Sequence, residues 1–238
     1  MRGATLKFSC FAVLASLSLA ACSDSSNKRA EDAALDDEIA AEDQSNVNID
    51  VWLERMEVGS RELFSAREGV VAALDLKPGD VIADIGAGTG LYALLFAEAV
   101  GPTGRVFAED IEPLFLDLIN QRAEDSSLDN ITAVLGREND VTLPESSLDV
   151  VFIADTYHYF GDRETVMKSV YRALKPGGSL VIVDYDLTPG APRPADKSHV
   201  RFGKAGVISE IEYIGFMLDE DVTVEGLDDN YFVRFKKP

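Results

Sequence analysis

Three features of this 238-residue sequence predict an α/β fold built on a mostly parallel sheet with helices on both faces. From about residue 80 onward, short apolar runs alternate with longer helical patterns, as in chains that form parallel sheets. The runs contain few polar residues, which indicates strands that are buried on both sides. Near the C-terminus two segments alternate apolar and polar residues, and these predict a closing hairpin-like pair.

The predicted elements follow one another in a regular order. Amphipathic helical patterns cover residues 51–67 and 68–76 and lead into the fold. Strands are predicted at Val81–Ile85, Arg105–Glu109, Ile131–Leu135, Leu148–Ala154, Ser179–Tyr185, Asp221–Glu225 and Tyr231–Lys236. Helices are predicted at Leu91–Val100, Leu114–Ala123, Arg163–Leu174 and Lys204–Gly215.

The turn after the first strand carries the strongest functional signal, the decapeptide VIADIGAGTG at residues 81–90. A strand, a glycine turn and a helix N-terminus together form a site for a ligand that approaches the backbone closely. The spacing is Asp84-x-Gly86-x-Gly88-x-Gly90, whereas a dinucleotide turn reads G-x-G-x-x-G and would need glycine where Leu91 stands. A nicotinamide-dependent oxidoreductase is therefore disfavoured.

This motif resembles the first motif of class I S-adenosylmethionine (SAM)-dependent methyltransferases. The segments LKPGG, LPESSLDVVF and the closing GF…NYFVRF resemble methyltransferases that act on small molecules, and DTYHYF with a later HVR resembles a narrower group among them. The resemblance covers roughly residues 55–238. It implies a Rossmann-like, mostly parallel seven-stranded sheet with a C-terminal antiparallel strand, SAM as cofactor and a small-molecule methyl acceptor.

The resemblance and the chemistry of SAM together nominate the cofactor-binding residues. Backbone N–H groups of the glycine turn suit the amino-acid carboxylate of SAM, and Asp84 would face its cationic end. An acid after the second strand would accept from the ribose hydroxyls, with Asp110 favoured and Glu109 still open. The predicted set for the turn and for the adenine is Gly86, Ala87, Gly88, Gly90, Glu138 and Asn139.

Methyl transfer needs alignment of the acceptor, and it needs a base when the acceptor arrives protonated. The loop after the fourth strand would supply both. His158 is the candidate base, because its side chain titrates near neutrality. Asp155 would contact either the methionine end of SAM or the substrate, Tyr157 is a further catalytic candidate, and Tyr159 would enclose the substrate. The alternative is that the aromatic residues pack on the sheet edge and that His158 is a hydrogen-bonded loop histidine.

A basic cluster interrupts this acidic chain between residues 193 and 204. His199 and Arg201 are its candidates for binding an anionic substrate group. The alternative is that the cluster pairs with acids such as Asp184 or Asp186.

The N-terminus predicts export and lipidation. Two basic residues precede a 13-residue apolar stretch, which is typical of a signal peptide and too short for a spanning helix. The run Leu19–Cys22 resembles a bacterial lipoprotein box, so Cys22 is the predicted lipidation site. We expect a signal peptide at residues 1–21, a lipidated, acidic, disordered tether at 22–50 and the catalytic domain at 51–238, held at the cell envelope, on the periplasmic face of the outer membrane.

Composition limits the partners. The formal net charge of −20 disfavours nucleic acid, which requires a basic face. Two cysteines, one in the signal segment and one lipidated, leave no thiol cluster for a metal, and we expect no metal. The alternative to an active methyltransferase is a catalytically silent SAM-fold binding or scaffolding lipoprotein.

Overall fold

A computed structural model describes residues 48–187 and 200–238. The predicted signal peptide, the predicted lipidation site Cys22, nearly all of the predicted tether and the candidate His199 lie outside these residues. Nothing in the described part therefore tests the predictions of export or lipidation. Across residues 48–187 and 200–238, no helix is both long enough and apolar enough to span a bilayer.

Helices and strands alternate through most of the described chain. The helices are α1 (Ile49–Met56), α2 (Glu62–Ser65), α3 (Arg67–Leu74), α4 (Leu91–Val100), α5 (Pro113–Asp125), α6 (Arg163–Ala173) and α7 (Lys204–Ile214). The strands are β1 (Val81–Ile85), β2 (Arg105–Asp110), β3 (Ile131–Leu135), β4 (Leu148–Ala154), β5 (Leu174–Tyr185), β6 (Met217–Val222) and β7 (Asn230–Lys236). A short 3₁₀ turn, Tyr157–Tyr159, follows β4.

The described strands form one seven-stranded sheet in the order β3-β2-β1-β4-β5-β7-β6. The first five strands are parallel, and β7 runs antiparallel to both β5 and β6. The order reverses between β1 and β4, so a crevice opens at the carboxyl ends of these strands, where open α/β sheets bind ligands. The predicted Rossmann-like fold of the class I methyltransferases is confirmed.

Each face of the sheet carries its own apolar core. Side chains of α2 to α5 pack on one face, and side chains of α6 and α7 pack on the other. The central strands are buried on both sides, as their continuous apolar runs predict. This two-sided burial makes the carboxyl ends of β1 and β4 a rigid platform for a site.

The main differences from the sequence predictions lie in β5, β6 and the first helical segment. β5 starts at Leu174 rather than Ser179, because Leu174 pairs with Leu148 before a bulge and the intervening KPGG segment stays within the strand. β6 lies at Met217–Val222 rather than at Asp221–Glu225. This edge strand is largely exposed, so packing imposes no clear alternation on its sequence. The 51–67 helical pattern is broken into α1 and α2 by a turn, and α1 begins at Ile49.

Candidate cofactor and active site

The glycine turn lies at the carboxyl end of β1 and gives rise to α4. Gly86, Gly88 and Gly90 all have left-handed backbone φ angles, of 68°, 52° and 80°. A Cβ atom on Gly90 would lie 2.7 Å from a side-chain carbon of Ile119, and one on Gly86 would lie 2.3 Å from Thr156. Glycine is therefore required here by both conformation and space. The turn brings backbone N–H groups to the start of a helix, where they suit an anionic group.

Asp84 is buried at the end of β1, with 3% of its surface exposed. Burial, and then the neighbouring Asp110 carboxyl, raises the pKa of Asp84 to about 7. Its Oδ2 atom and the hydroxyl of buried Thr89 have no hydrogen-bond partner within the described residues. Both residues line one small cavity beside the glycine turn. Unpartnered buried polar atoms at a helix N-terminus fit a polar ligand.

The two acids at the end of β2 both reach the glycine turn. Asp110 accepts a hydrogen bond from the backbone N–H of Gly88 at 2.9 Å and another from Glu112 at 2.9 Å. Glu109 accepts from the backbone N–H of Gly86 at 3.4 Å. Burial, and then Asp110, raises the pKa of Glu109 to about 8. Either carboxyl lies close enough to the turn for a ribose, so the choice between them stays open.

Helix α1 and the turn after it cover the glycine turn. The Met56 side chain lies over Gly88, where an added Cβ would be 2.8 Å from the methionine methyl carbon. The cavity left between Met56, Asp84 and Thr89 measures about 20 Å³. That is room for one water molecule, whereas small-molecule sites commonly measure about 300–1,000 Å³. We call residues 48–61 the cover.

Two ion pairs and one aromatic contact hold the cover. Arg122 of α5 pairs with Glu57 and also donates to the carbonyl oxygen of Thr89 at 2.8 Å, so it joins the cover to the glycine turn. Arg61 donates to Asp155 at 2.6 Å. Trp52 packs edge-on against Phe115, with 5.7 Å between ring centroids.

The segment after β4 lies beside the glycine turn. Asp155 has a left-handed φ of 48°, which turns the chain towards the cover, and the side chain of Thr156 packs on Gly86. The His158 ring hydrogen-bonds through Nδ1 to Asp184 on β5 at 2.7 Å, and both side chains are almost fully buried. Asp155, His158 and Asp184 place ligand atoms within 4.8 Å of one another. The structure thus brings together two of the predicted catalytic residues.

The aromatic candidates in this segment have different environments. Tyr157 is buried in the core between the sheet, α6 and α7, and its hydroxyl donates to Glu210 at 2.8 Å. Burial and Glu210 raise the pKa of that hydroxyl. Tyr159 is 65% exposed and packs on His158, with ring centroids 4.1 Å apart. The packing alternative thus describes Tyr157, whereas Tyr159 is largely exposed.

The remaining predicted residues are dispersed. Glu138 and Asn139 lie exposed in a turn beyond β3 that is closed by a bridge between Arg137 and Asp140. Arg201 is exposed before α7. Asp184, one of the acids suggested as partners of the basic cluster, is buried against His158. Lys204 pairs with Asp221 instead, at 2.8 Å.

Sequence reasoning did not identify the contacts of five residues near the glycine turn: Met56, Glu57, Arg61, Arg122 and Asp184. Their partners lie between 26 and 94 positions away in the chain, so no local pattern joins them. Asp184 carries the one usable signal, an acid within the otherwise apolar strand SLVIVDY. A buried charge in such a strand indicates a partner near the carboxyl end of the sheet.

Fold and glycine turn together define a protein with the class I SAM-dependent methyltransferase fold. Residues 82–178 match the family model described as a methyltransferase domain. That segment runs from β1 into β5 and contains the glycine turn, both acids of β2 and the segment after β4. Over this segment the chain is similar to methyltransferase domains.

Curated proteins that are similar to this chain are also named as methyltransferases. A demethylmenaquinone methyltransferase of Geobacillus sp. (strain WCH70) is 30% identical over 53% of this chain and 54% of its own. The ubiquinone/menaquinone biosynthesis C-methyltransferase UbiE of Hydrogenovibrio crunogenus is 27% identical over 58% of this chain and 54% of its own. The chain thus spans about half the length of these curated relatives.

Solved structures share the fold. A SAM-dependent methyltransferase from Aquifex aeolicus superposes with a TM-score of 0.68 at 23% identity, covering 81% of this chain and all of that one. A phosphoethanolamine N-methyltransferase 2 of Haemonchus contortus, solved in complex with SAM, gives a TM-score of 0.59 at 16% identity. This alignment covers 82% of this chain and 61% of that one.

Proposed function

We propose that this protein transfers a methyl group from SAM to a small-molecule acceptor. The observation that carries the proposal is the buried Asp84 beside a glycine turn. The glycines of that turn have no room for a Cβ atom. SAM has a carboxylate that suits the turn and a cationic end that suits Asp84. The methyltransferase domain match and the fold of the SAM-dependent relatives support the same cofactor.

The cofactor supplies an electrophilic methyl group, and the chain supplies binding and orientation. The glycine turn and the N-terminus of α4 would hold its carboxylate, and Asp84 would face its ammonium group. Glu109 or Asp110 would accept from the ribose. Asp155 and Tyr159 stand on the acceptor side, beyond β4.

Access to this site requires movement of the cover. A cavity of about 20 Å³ is too small for a nucleoside, and the Met56 side chain lies where a ligand of the turn would pass. The cover is held by side-chain contacts rather than by the sheet, so it can move while the platform stays intact. Its movement would open the turn to SAM, and its return would exclude water from the methyl group.

Calorimetry of the full chain in detergent, titrated with SAM and with S-adenosylhomocysteine, tests the cofactor. Binding is expected for the unaltered protein and for Gly161→Ala, because Gly161 has open space around it and lies outside the cover. Gly88→Val should abolish binding, since its side chain would occupy the ligand's space. Circular dichroism checks that Gly88→Val is folded. Asp84→Asn is a second variant, and it should bind SAM more weakly than the unaltered protein. Absence of SAM binding by the unaltered, folded protein would refute the proposal.

The acceptor is the next question. Two curated relatives are named for quinone-pathway methylation, and one structural relative is named for phosphoethanolamine. Release of S-adenosylhomocysteine, measured over a panel that includes demethylmenaquinone and phosphoethanolamine, would identify the acceptor class. Arg201, with His199, supports including acceptors that carry an anionic group. SAM binding without turnover on any acceptor would favour a silent binding protein.

We further propose that Cys22 is lipidated and anchors the protein to the cell envelope of a bacterium. The support is the sequence alone: an apolar stretch followed by Leu19–Cys22. Labelling with a palmitate analogue in a bacterial host tests the proposal. Label is expected on the unaltered chain and should be lost with Cys22→Ser but not with Cys10→Ser. Equal labelling of all three would contradict it.

A further inference from the structure

Three buried carboxyl groups, those of Asp84, Glu109 and Asp110, lie beside the glycine turn, and their hydrogen bonds differ. Asp110 accepts from the backbone N–H groups of Gly88 and Glu112, each at 2.9 Å. These two donors counteract the rise in the pKa of Asp110 that burial causes. Asp84 is 3% exposed, and its Oδ2 atom has no hydrogen-bond partner within the described residues. Asp110 therefore ionises more readily than Asp84.

The elements packed around Asp84 leave its charge without compensation. Their titratable side chains are those of Glu109 and Asp110 on β2, Asp155 after β4, Tyr92 on α4, Arg122 on α5, and Glu57 and Arg61 in the cover. Arg61 pairs with Asp155 at 2.6 Å and Arg122 pairs with Glu57, and no cation pairs with Asp84 in the part of the chain that the structure describes. Asp84 is thus an acid that lacks a counter-ion until a ligand brings one.

We propose that Asp84 holds a proton while the cofactor site is empty and releases it to solvent when the ammonium group of SAM binds beside it. The inference rests on the proposed function and deepens it, since cofactor binding becomes the exchange of a proton for a cation. The O–H bond of the Asp84 carboxyl breaks, its electron pair stays on the oxygen, and the proton passes to the buffer. An opposite charge close to a carboxyl favours the ionised form, so the ammonium group drives the exchange.

Position selects Asp84 over Glu109 as the acid that responds. Asp84 and Thr89 line the cavity beside the glycine turn, and its volume of about 20 Å³ admits one water-sized group such as an ammonium. Side-chain alternation along β1 and β2 places Glu109 on the opposite face of the sheet from Asp84. Glu109 faces Gly136 there, where an added Cβ would lie 1.5 Å from its Oε1 atom. Glu109 should therefore keep its proton when SAM binds.

The exchange makes the affinity for SAM depend on pH. Burial, and then the Asp110 carboxyl, raises the pKa of Asp84 to about 7, so the empty protein holds this proton in mildly acidic solution. Release of one proton per SAM makes the association constant rise about tenfold per pH unit from about pH 5 to pH 6.5. The ammonium group of SAM stays charged throughout this range. 5′-Methylthioadenosine, which lacks the amino-acid end of SAM, should bind with little dependence on pH.

Isothermal titration calorimetry of the full chain in detergent at pH 6 measures the exchange. SAM is titrated in phosphate, MES and Bis-Tris, whose different heats of ionisation give the number of protons released. About one proton is expected for the unaltered protein and for the matched control Asp117→Asn, an exposed acid on α5. Asp84→Asn should reduce the release to near zero, whereas Glu109→Gln should retain it. S-adenosylhomocysteine, which keeps the ammonium group, should release as many protons as SAM.

Infrared difference spectra give a readout that needs no variant. Addition of SAM to the unaltered protein should remove the C=O band of one protonated carboxyl. A heat of SAM binding that is the same in all three buffers would overturn the inference and leave the proposed function standing. So would a release that is lost in Glu109→Gln but kept in Asp84→Asn, or one that 5′-methylthioadenosine reproduces. No binding of SAM at all, by calorimetry and by equilibrium dialysis, would refute the proposed function and this inference with it.

Discussion

Replacing Asp84 by asparagine should stabilise the fold at neutral and alkaline pH while weakening the site. The folded protein raises the pKa of Asp84 from its ordinary 3.8 to about 7, mainly through burial. An acid with a raised pKa keeps its proton in the folded chain and loses it in the unfolded chain, so stability falls as pH rises between these values. Asparagine resembles the protonated acid in shape and does not ionise.

The magnitude follows from the pKa difference. At about 1.4 kcal/mol for each tenfold change in the ionisation equilibrium, a change from 3.8 to about 7 corresponds to about 4 kcal/mol. The advantage of Asp84→Asn in unfolding free energy should therefore grow by up to about 4 kcal/mol from pH 4 to pH 7 and then level off.

Urea unfolding followed by circular dichroism at several pH values from 4 to 9 provides the measurement. Asp117→Asn, on the exposed face of α5, is the matched control and should show no such growth with pH. The same Asp84→Asn protein should bind SAM more weakly, because the cationic end of SAM favours the ionised carboxylate. A stability difference that is independent of pH would show that Asp84 ionises normally in the fold, and the reasoning would fail.

Three further changes probe the cover and the platform. Met56→Ala removes a half-buried side chain that stabilises the closed cover by about 1 kcal/mol. SAM association, measured by stopped-flow fluorescence, should therefore become about fivefold faster. An unchanged rate would show that the cover is no barrier to SAM. Gly136→Ala would place Cβ 1.5 Å from the buried Glu109 carboxyl and should cost about 1–3 kcal/mol of stability in urea unfolding. Tyr92→Phe removes the hydrogen bond from that hydroxyl to the Leu63 carbonyl at 2.7 Å and should cost about 1–3 kcal/mol in the same assay, whereas no cost would mean that water replaces the donor.

Sequence reasoning succeeded where burial leaves a strong local pattern. β4 was predicted to the residue, because a continuous apolar run bounded by turns marks a central parallel strand. β6 was misplaced, since an exposed edge strand has no such constraint. The glycine turn with Asp84 is likewise a local signal, and its geometry could be predicted.

The cover and the histidine pair could not be predicted in the same way. Met56 lies over Gly88 because α1 packs against α5, a contact between segments far apart in the chain. Sequence reasoning named Asp184 only among the acids that could pair with the basic cluster, whereas in the fold it pairs with His158. The side-chain periodicity of a strand shows that a residue is buried but not which residue it meets.

Helix α1 has no fully buried side chain, in contrast to the strands beneath it. Local detachment of such a helix costs a small part of the free energy of global unfolding. Its amides should therefore exchange hydrogen far faster than those of β1 and β4. The dissociation rate of any ligand on the glycine turn would then be set by how often this eight-residue helix detaches. That rate would not depend on the global stability of the domain.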